Sequence, residues 1–343
     1  MNTTSYPSLV KNWIDGSESG ATDGGLFDKR SPASGEPLCQ AARSRAADVA
    51  NAVEAAKRAY PAWAGMTPVQ RGEILMAVVR AMQQEREALA AIVAAETGMA
   101  PNAALGETGG AIAQGEFMAG EGRRLYGRTT TSAVPNKYAM TVRQPLGVAG
   151  LIIAANTPIA NVAWKVFPAL ICGNTAVLKA AEDTPATAWF FGKLAHAAGL
   201  PAGVLNIVQG LGEEAGAPLV AHPDVAVISF TGSTEVGRQI AEVAGRRLAK
   251  VSLELGGKNP LVVCDDADLE SAARWVLLSA FSNAGQRCAA GSRIIIFDAV
   301  YDAYRDLLVT RTQGLRLGPG DEDDLGPVIN ERQLADMLAA VDQ

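Results

Sequence analysis

The sequence predicts an α/β protein built around a doubly wound parallel sheet, and three observations support this prediction. From Gly147 onward, short runs rich in Val, Ile and Leu alternate with segments of helical periodicity. The apolar runs do not alternate with polar residues, as expected for strands covered on both faces. Turn-forming glycines and prolines separate the segments. These patterns favour parallel strands joined by crossover helices.

The region before the sheet is predicted to be mainly helical. Leu26 to Ser44 contains the turn cluster Ser31 to Pro37, which is typical of a hairpin. Arg45 to Ala62 and Pro68 to Gly98 are rich in Ala and carry apolar residues at helical spacing. We therefore expect a hairpin followed by a helical layer.

The central sheet is predicted to have five strands, joined in part by three helices. The strands are Gly147 to Ile153, Thr175 to Leu178, Val204 to Val208, Val225 to Phe230 and Val251 to Leu255. The helices are Ala160 to Ile171, Ala186 to Ala198 and Glu235 to Ala249. A second α/β segment begins near Asn259, with strands Leu261 to Cys264 and Arg293 to Phe297 around a helix from Leu269 to Asn283. Ligands of such sheets bind beyond the carboxyl ends of the strands, so the following loops are candidate sites.

Composition narrows the functional classes. With 343 residues, of which 48% are apolar and 19% charged, the chain matches a soluble globular protein of about two domains. Its net charge of −6 provides no field that would hold nucleic acid. The N-terminus lacks a signal-peptide pattern, and no apolar run is long enough to span a bilayer. We therefore expect a cytoplasmic protein without a nucleic-acid or membrane partner.

The cysteines indicate a candidate nucleophile. The sequence contains four cysteines and two histidines without metal-ligand spacing, which favours free thiols and no metal site. Cys288 lies in the polar, flexible segment from Asn283 to Ser292, where the charge of Arg287 could favour a thiolate. An inert thiol in the protein core is the alternative. The other three, Cys39, Cys172 and Cys264, are interpreted as structural.

Two further side chains suit covalent chemistry. Glu254 ends an apolar strand and precedes two glycines, so we expect a partly buried carboxylate that acts as a base. An ion pair with Lys258 or Arg293 is the alternative. Asn156 follows a strand and lies before the helix-opening Pro158. Its amide could donate to an oxyanion, or it could simply cap or turn the chain.

Two loops suit a nucleotide. Lys179 and Glu182 follow one strand and could hydrogen-bond a ribose diol, and the carboxylate would disfavour a 2′-phosphate, hence NAD over NADP. The alternative is a solvated surface pair. The segment Thr231 to Gly237 joins a strand to a helix, and Gly232 would let a pyrophosphate approach the free N–H groups. An ordinary Ser-capped helix is the alternative.

Taken together, the motifs resemble those of the NAD(P)-dependent aldehyde dehydrogenase superfamily, in the family's order. The matching segments are Pro145-Leu146-Gly147-Val148, Ala163-Trp164-Lys165, Pro168-Ala169-Leu170 with Gly173-Asn174-Thr175, Leu178-Lys179 with Glu182 and Thr184-Pro185, Phe230-Thr231-Gly232-Ser233, Leu253-Glu254-Leu255-Gly256-Gly257-Lys258, and Gly285-Gln286 with Cys288. The resemblance implies an aldehyde-dehydrogenase-like fold, with a Rossmann-type sheet and a second α/β catalytic domain.

The resemblance also implies roles for these residues. Cys288 would attack the aldehyde, the Asn156 amide and the Cys288 N–H would hold the oxyanion, and Glu254 would activate water to hydrolyse the thioester. Lys165 would belong to the same catalytic group. Cofactor contacts would come from Ile152, Ile153, Lys179, Glu182, Gly212, Phe230, Gly232, Ser233, Val236, Leu255 and Gly256. NAD, or alternatively NADP, would be the cofactor, and a homodimer or homotetramer the assembly of the full-length protein.

The resemblance divides the chain into an N-terminal helical part of the cofactor domain, a bridging hairpin, the Rossmann-like part and an incomplete catalytic domain. The respective ranges are 1–125, 126–145, 146–256 and 257–343. Lys137 to Arg143 is interpreted as half of the hairpin, with its partner strand missing. Ala155 and Thr157 stand where family members often have aromatic residues, so the tunnel or the cofactor packing is expected to differ.

One of the alternative functions follows from the chain's length. Family members usually continue for more than a hundred residues beyond the position of Gln343, through a Glu-x-Phe-Gly-Pro motif and a carboxylate that partners Lys165. One alternative is therefore an inactive fragment that keeps nucleotide binding. Two others do not depend on length: a dehydrogenase that forms acyl-coenzyme A, and a thiol hydrolase without a cofactor, which is possible for any reactive cysteine.

Overall fold

A computed structural model describes residues 6–341 of the chain. The helices are α1 (Ala46–Gly65), α2 (Pro68–Gln84), α3 (Arg86–Thr97), α4 (Pro101–Gly120), α5 (Pro158–Ile171), α6 (Pro185–Ala197), α7 (Ala217–Ala221), α8 (Thr234–Arg246), α9 (Leu269–Phe281), α10 (Tyr301–Gln313) and α11 (Glu331–Val341). The strands are β1 (Leu9–Val10), β2 (Asn12–Ile14), β3 (Ser17–Ser19), β4 (Leu26–Arg30), β5 (Pro37–Ala42), β6 (Thr129–Thr131), β7 (Tyr138–Met140), β8 (Val148–Ile152), β9 (Thr175–Lys179), β10 (Leu205–Val208), β11 (Val225–Gly232), β12 (Lys250–Leu255), β13 (Asn259–Val263) and β14 (Gly291–Ile296).

The central sheet has the strand order β12-β11-β8-β9-β10-β2-β3. The five strands from β12 to β10 are mutually parallel, and β2 and β3 extend the edge in antiparallel pairing. In β8, β9 and β10 every residue is buried, which explains their continuous apolar sequences. The predicted parallel sheet is confirmed. The extension by β2 and β3 was not predicted, because strands of three residues carry too little pattern.

Helices cover both faces of the sheet. The larger core cluster joins α2 to α6 to one face, and a second cluster packs α1, α7 and α8 against the other. The helical signal predicted from Pro68 to Gly98 is confirmed, but the structure divides the segment into α2 and α3 at Glu85, a break that was not predicted. Neither Gly nor Pro lies at this break, so tertiary packing sets it and local propensity gives no signal.

The exposed hairpin corrects another expectation. Lys137 to Arg143 was expected to lack a partner strand, but β7 pairs with β6 in antiparallel register. The sequence of β6 is Thr-Thr-Thr, and all its residues are exposed, so it has none of the alternation that reveals a half-buried strand.

The starts of α5 and α6 share an unusual feature. Each helix begins at the proline of a Thr-Pro pair, Thr157-Pro158 or Thr184-Pro185, which resembles an ordinary threonine cap. In the structure neither threonine side chain caps its helix. Glu107 of α4 accepts hydrogen bonds from the first free N–H groups of α5, and Glu96 of α3 does so for α6. The helical layer thus fixes the starts of both crossover helices.

The second α/β segment is small. Strands β13 and β14 pair in parallel, and α9 and α10 pack against them around a cluster that includes Val263, Val276 and the buried Tyr304. Within residues 6–341, no helix combines the length and apolarity needed to cross a membrane. Over the same residues, no cluster of three or more His, Cys, Asp or Glu side chains could hold a metal ion.

Candidate active site

The predicted site residues lie at one edge of the central sheet. Asn156 follows β8, Glu182 follows β9, Gly232 ends β11 and Glu254 is the penultimate residue of β12. These strands are neighbours and run in parallel, so their carboxyl ends meet at the same edge. The sheet therefore brings together residues that are far apart in the sequence.

Hydrogen bonds connect the Asn156 loop to the segment that carries Cys288. The Asn156 amide Nδ2 donates to the carbonyl oxygen of Gln286 at 2.7 Å. In return, the Asn283 amide donates to the backbone carbonyl of Asn156 at 2.8 Å. Asn161 approaches the Asn156 Oδ1 at 3.4 Å. The predicted amide donor thus lies against the turn before Cys288, and its role at an oxyanion stays a prediction.

The turn before Cys288 has a rare backbone conformation. Asn283, Ala284 and Gly285 have consecutive positive φ angles of 55°, 53° and 70°. Ala284 is unfavourable in this region because its Cβ approaches the backbone, so tertiary contacts must impose the turn. The predicted helix from Leu269 to Asn283 ends at Phe281 for this reason.

Cys288 itself is an exposed free thiol, and the alternative of an inert buried cysteine is wrong. The Asn259 amide donates to the Cys288 carbonyl oxygen at 2.6 Å and ties this segment to the start of β13. A Cβ built on Gly257 would lie 4.0 Å from the same oxygen, so the glycine pair after Glu254 borders the nucleophile's turn. All four cysteines lie among the described residues, and all are free.

Glu254 differs from its prediction in one respect. We expected a partly buried carboxylate, but Glu254 is exposed on the edge strand β12. The strand has β11 on one side alone, so solvent reaches its side chains. Among the described residues, neither Lys258 nor Arg293 forms an ion pair with it, and Arg293 donates instead to the Lys258 carbonyl. The carboxylate is free to contact water.

Lys165 is a buried base on α5, close to this edge. Its Nζ donates to the Ser229 hydroxyl of β11 at 2.9 Å, and the residue is 5% exposed. Burial lowers the pKa of Lys165 to about 8, although the negative charge of Glu254 acts in the opposite direction. An amino group with this pKa can exchange a proton near neutral pH.

The lowered pKa predicts a pH-dependent stability. Between pH 8 and 10.5 the unfolded chain keeps the Lys165 proton while the folded chain has lost it, so stability rises with pH in this window. Below the folded pKa, burying the charge costs about 3 kcal/mol. We expect the Lys165→Met variant to lack this rise, as measured by urea unfolding from pH 7 to 10.5. The exposed Lys250→Met variant is the control, and a rise that persists in Lys165→Met would contradict the assignment.

Lys179 and Glu182 form the pair expected from the sequence. Lys179 Nζ donates to Glu182 Oε2 at 2.7 Å, with 3% of the lysine side chain and 35% of the glutamate side chain exposed. Burial alone would raise the pKa of Glu182, but the Lys179 ammonium outweighs it and lowers this pKa. The interpretation as a solvated surface pair is therefore wrong for Lys179. The carboxylate stays ionised and partly accessible at the end of β9.

The loop after β11 combines a tight glycine with a helix cap. A Cβ at Gly232 would lie 2.3 Å from the Phe230 ring, so a larger residue would displace that ring. The Ser233 hydroxyl accepts from the Val236 N–H at 3.2 Å and caps α8. The ordinary cap is thus present, and Val236 remains 41% exposed as an apolar surface at the sheet edge.

The remaining candidate cofactor contacts fall into two groups. Three apolar residues near the carboxyl ends of β8 and β11 are buried, namely Ile152, Ile153 and Phe230. Leu255 is half-buried, and its side chain lies where a Cβ at Gly237 would stand. A Cβ at Gly212 or Gly256 would meet no atom within 4 Å, so both backbones face open space.

Glu107 is a residue at this site that the sequence reasoning missed. Its Oε1 accepts from the N–H groups of Ile159 and Ala160, at 3.0 and 3.1 Å, next to the Asn156 loop. Burial raises the pKa of Glu107 to about 7, while the helix N–H groups and the charge of Arg287 act in the opposite direction. The available signal was weak: Glu107 is one of two acids, with Glu116, in a helix rich in Ala and Gly.

Comparisons with known proteins extend over nearly the whole chain. The model of the aldehyde dehydrogenase family matches residues 19–343. The α-ketoglutaric semialdehyde dehydrogenase of Bacillus subtilis is 38% identical over 100% of this chain and 71% of its own length. The NADP-dependent succinate-semialdehyde dehydrogenase of Escherichia coli is 39% identical over 94% of this chain and 66% of its own length. The chain thus spans about two thirds of the length of these relatives.

Solved structures agree with this match. A structure titled as an NADP-dependent enzyme of E. coli superposes with a TM-score of 0.92 and 38% identity, covering 95% of this chain and 68% of that one. Betaine aldehyde dehydrogenase from Staphylococcus aureus, solved in complex with NAD⁺, gives a TM-score of 0.94 and 30% identity, covering 97% of this chain and 66% of that one.

Proposed function

The chain belongs to the aldehyde dehydrogenase family, and on this premise we propose that it oxidises an aldehyde to the carboxylic acid through a thioester on Cys288. The observation that carries the proposal is the 2.7 Å bond from the Asn156 amide to the Gln286 carbonyl. This bond holds the amide of Asn156, which follows strand β8 of the central sheet, against the turn before Cys288. Cys288 lies in the second α/β segment, and its thiol is exposed. A thiol beside a fixed N–H donor is the arrangement that covalent attack on a carbonyl requires.

The first step is attack of the Cys288 sulfur on the aldehyde carbon. A C–S bond forms, and the carbonyl oxygen becomes an oxyanion. Asn156 Nδ2 has a second hydrogen besides the one donated to Gln286, and it can donate this hydrogen to the oxyanion. Within residues 6–341, no backbone carbonyl accepts from the Cys288 N–H, so this group is available as the second donor.

A nicotinamide cofactor, when bound, would supply the oxidising chemistry as the acceptor of the hydride that leaves the substrate carbon. The residues at the sheet edge fit such a group. The Lys179–Glu182 pair offers donors and acceptors for a ribose diol, and Gly212 and Gly256 leave open space where a side chain would obstruct a ligand. Ser233 and the exposed Val236 at the start of α8 present a polar and an apolar surface beside this space.

The thioester is then hydrolysed. Glu254 removes a proton from a water molecule, whose oxygen attacks the thioester carbon. The C–S bond breaks, the carboxylic acid leaves, and the thiolate of Cys288 is restored. Glu254 is exposed, so it can release this proton to solvent. Lys165, whose pKa is about 8, is mostly protonated at neutral pH and contributes a positive charge that acts on the Glu254 carboxylate.

The proposed cofactor is NAD in preference to NADP. The ionised Glu182 carboxylate would repel a 2′-phosphate on the ribose that it binds. We expect Glu182→Gln to raise kcat/KM for NADP roughly fivefold relative to NAD, since one like-charge contact costs about 1 kcal/mol. Steady-state kinetics with both cofactors measure the ratio. Asp183→Asn, which changes the neighbouring carboxylate, is the control, and an unchanged ratio in Glu182→Gln would remove the basis for the preference.

The test of the proposed function is direct. The chain is mixed with NAD and with succinic semialdehyde, glutaric semialdehyde or acetaldehyde, and reduced nicotinamide is followed by absorbance. The relatives named for semialdehydes guide this panel. Absence of signal, with NAD still raising the melting temperature, would favour the alternative of a nucleotide-binding protein without activity.

The hairpin of β6 and β7 is the proposed contact between subunits. All residues of both strands are exposed, including the apolar Tyr138 and Met140, which are 80% and 68% exposed. Exposed apolar side chains of this size are typical of association surfaces. Sedimentation of the chain and of a Tyr138→Ser, Met140→Ser variant measures this contact, and equal masses would contradict it.

A further inference from the structure

We propose that Glu107 is a positioning residue, which holds the amide of Asn156 against the turn of Cys288 by capping the first turn of α5. The inference rests on the proposed function for its kinetic test, and a second measurement is independent of turnover. Glu107 lies on α4 and has no place among the groups that would touch substrate or cofactor. Its influence on the site passes through α5.

Glu107 caps the first turn of α5 in place of a local side chain. Thr157, the residue before α5, makes no capping bond with its side chain. Ile159 and Ala160 are buried, so their N–H groups have no access to water. Glu107 Oε1 accepts from both. A buried N–H group without an acceptor costs free energy. Removal of the Glu107 carboxylate therefore forces the first turn of α5 to move.

The first turn of α5 is linked to Asn156 through the side chain of Asn161. Asn161 lies in the same turn, where its Nδ2 donates to the Thr157 carbonyl at 2.9 Å and approaches the Asn156 Oδ1 at 3.4 Å. The Asn156 amide oxygen is therefore oriented by α5, and its Nδ2 points to Gln286 at the turn of Cys288. A shift of the first turn of α5 therefore moves the Asn156 amide, which is the proposed oxyanion donor.

A parallel arrangement supplies the matched control. Glu96 of α3 caps α6 in the same way, by accepting from the N–H groups of Ala186 and Thr187 at 2.7 and 2.9 Å. Both carboxylates come from the helical layer, and both replace a threonine cap. Among the described residues, no side chain of α6 hydrogen-bonds to Asn156, whereas Asn161 of α5 does. Loss of the Glu96 cap therefore reproduces the damage to a helix start without the link to the oxyanion donor.

The kinetic test is a pair of double-mutant cycles with Asn156→Ala, using succinic semialdehyde and saturating NAD. We expect Glu107→Leu to lower kcat about 30-fold and to have less than a threefold further effect in Asn156→Ala, because both changes remove the same donor. The effects of Glu96→Leu and Asn156→Ala should multiply. If Glu107→Leu and Asn156→Ala also multiply, Glu107 has a merely structural role and the inference is overturned.

Two further measurements keep the inference testable. Glu107→Gln keeps an accepting oxygen, so kcat should stay within about threefold of the parent, and a loss as large as that of Glu107→Leu would contradict the cap. Hydrogen exchange of peptides covering residues 153–163 needs no turnover. Glu107→Leu should accelerate exchange there at least about tenfold, and Glu96→Leu should not. Unchanged exchange in Glu107→Leu overturns the inference, whereas an inactive parent chain contradicts the proposed function alone.

Discussion

Replacing Cys288 by Ala is expected to lower aldehyde oxidation by at least about 10⁴-fold while NAD binding survives. The sulfur forms and breaks the only covalent bond between enzyme and substrate in the proposed reaction. Its side chain is exposed, and its carbonyl oxygen is held by Asn259 through the backbone. The substitution therefore removes the nucleophile without disturbing the turn.

The measurement combines steady-state production of reduced nicotinamide with the rise in melting temperature that NAD causes. Cys264→Ala is the matched control, because Cys264 is also an exposed free thiol in the second α/β segment. It should retain full activity. Substantial oxidation by Cys288→Ala would eliminate Cys288 as the nucleophile. Cofactor-independent hydrolysis of a thioester or ester by the parent chain would instead favour the thiol hydrolase alternative.

Replacing Glu254 by Gln is expected to lower turnover by about 10²–10⁴-fold, the range in which general base catalysis contributes. The loss should fall on hydrolysis of the thioester and spare its formation. A rapid first turnover of about one reduced nicotinamide per active thiol should therefore remain, followed by a slow steady state. The exposed position of Glu254 at the end of β12 gives its carboxylate access to water.

Rapid-mixing absorbance resolves these two phases. Glu242→Gln is the control, since Glu242 is an exposed carboxylate of α8 that pairs with Arg246. A slowed first turnover with no burst would show that Glu254 acts before the thioester forms. Turnover that depends wholly on added coenzyme A, in the parent chain, would support the acyl-coenzyme A alternative.

The family, the fold class and the enzyme class predicted from the ordered motifs are confirmed by the family match and the structural neighbours. The positions of the sheet strands were also predictable. Strands buried on both faces must be apolar throughout, and crossover helices must carry apolar stripes, so β8 to β10 and α5, α6 and α8 left clear patterns. The domain boundaries and the roles of the site residues stay predictions.

What the sequence could not predict depends on contacts between distant segments. Glu254 is exposed because β12 is an edge strand of the sheet. The order of strands in a sheet cannot be predicted from a local sequence pattern. The break at Glu85 and the positive φ angles before Cys288 are imposed by packing, since neither Asn283 nor Ala284 prefers that conformation alone.

The starts of α5 and α6 depend partly on local sequence and partly on tertiary structure. Local sequence determined where both helices begin, because a Thr-Pro pair ends a strand loop and fits a helix start. Tertiary structure alone decided that Glu107 and Glu96, more than fifty residues away, would satisfy the free N–H groups. A hydrogen bond requires atoms that are close in space but not in sequence, so only the folded chain could identify the carboxylates that cap these two helices.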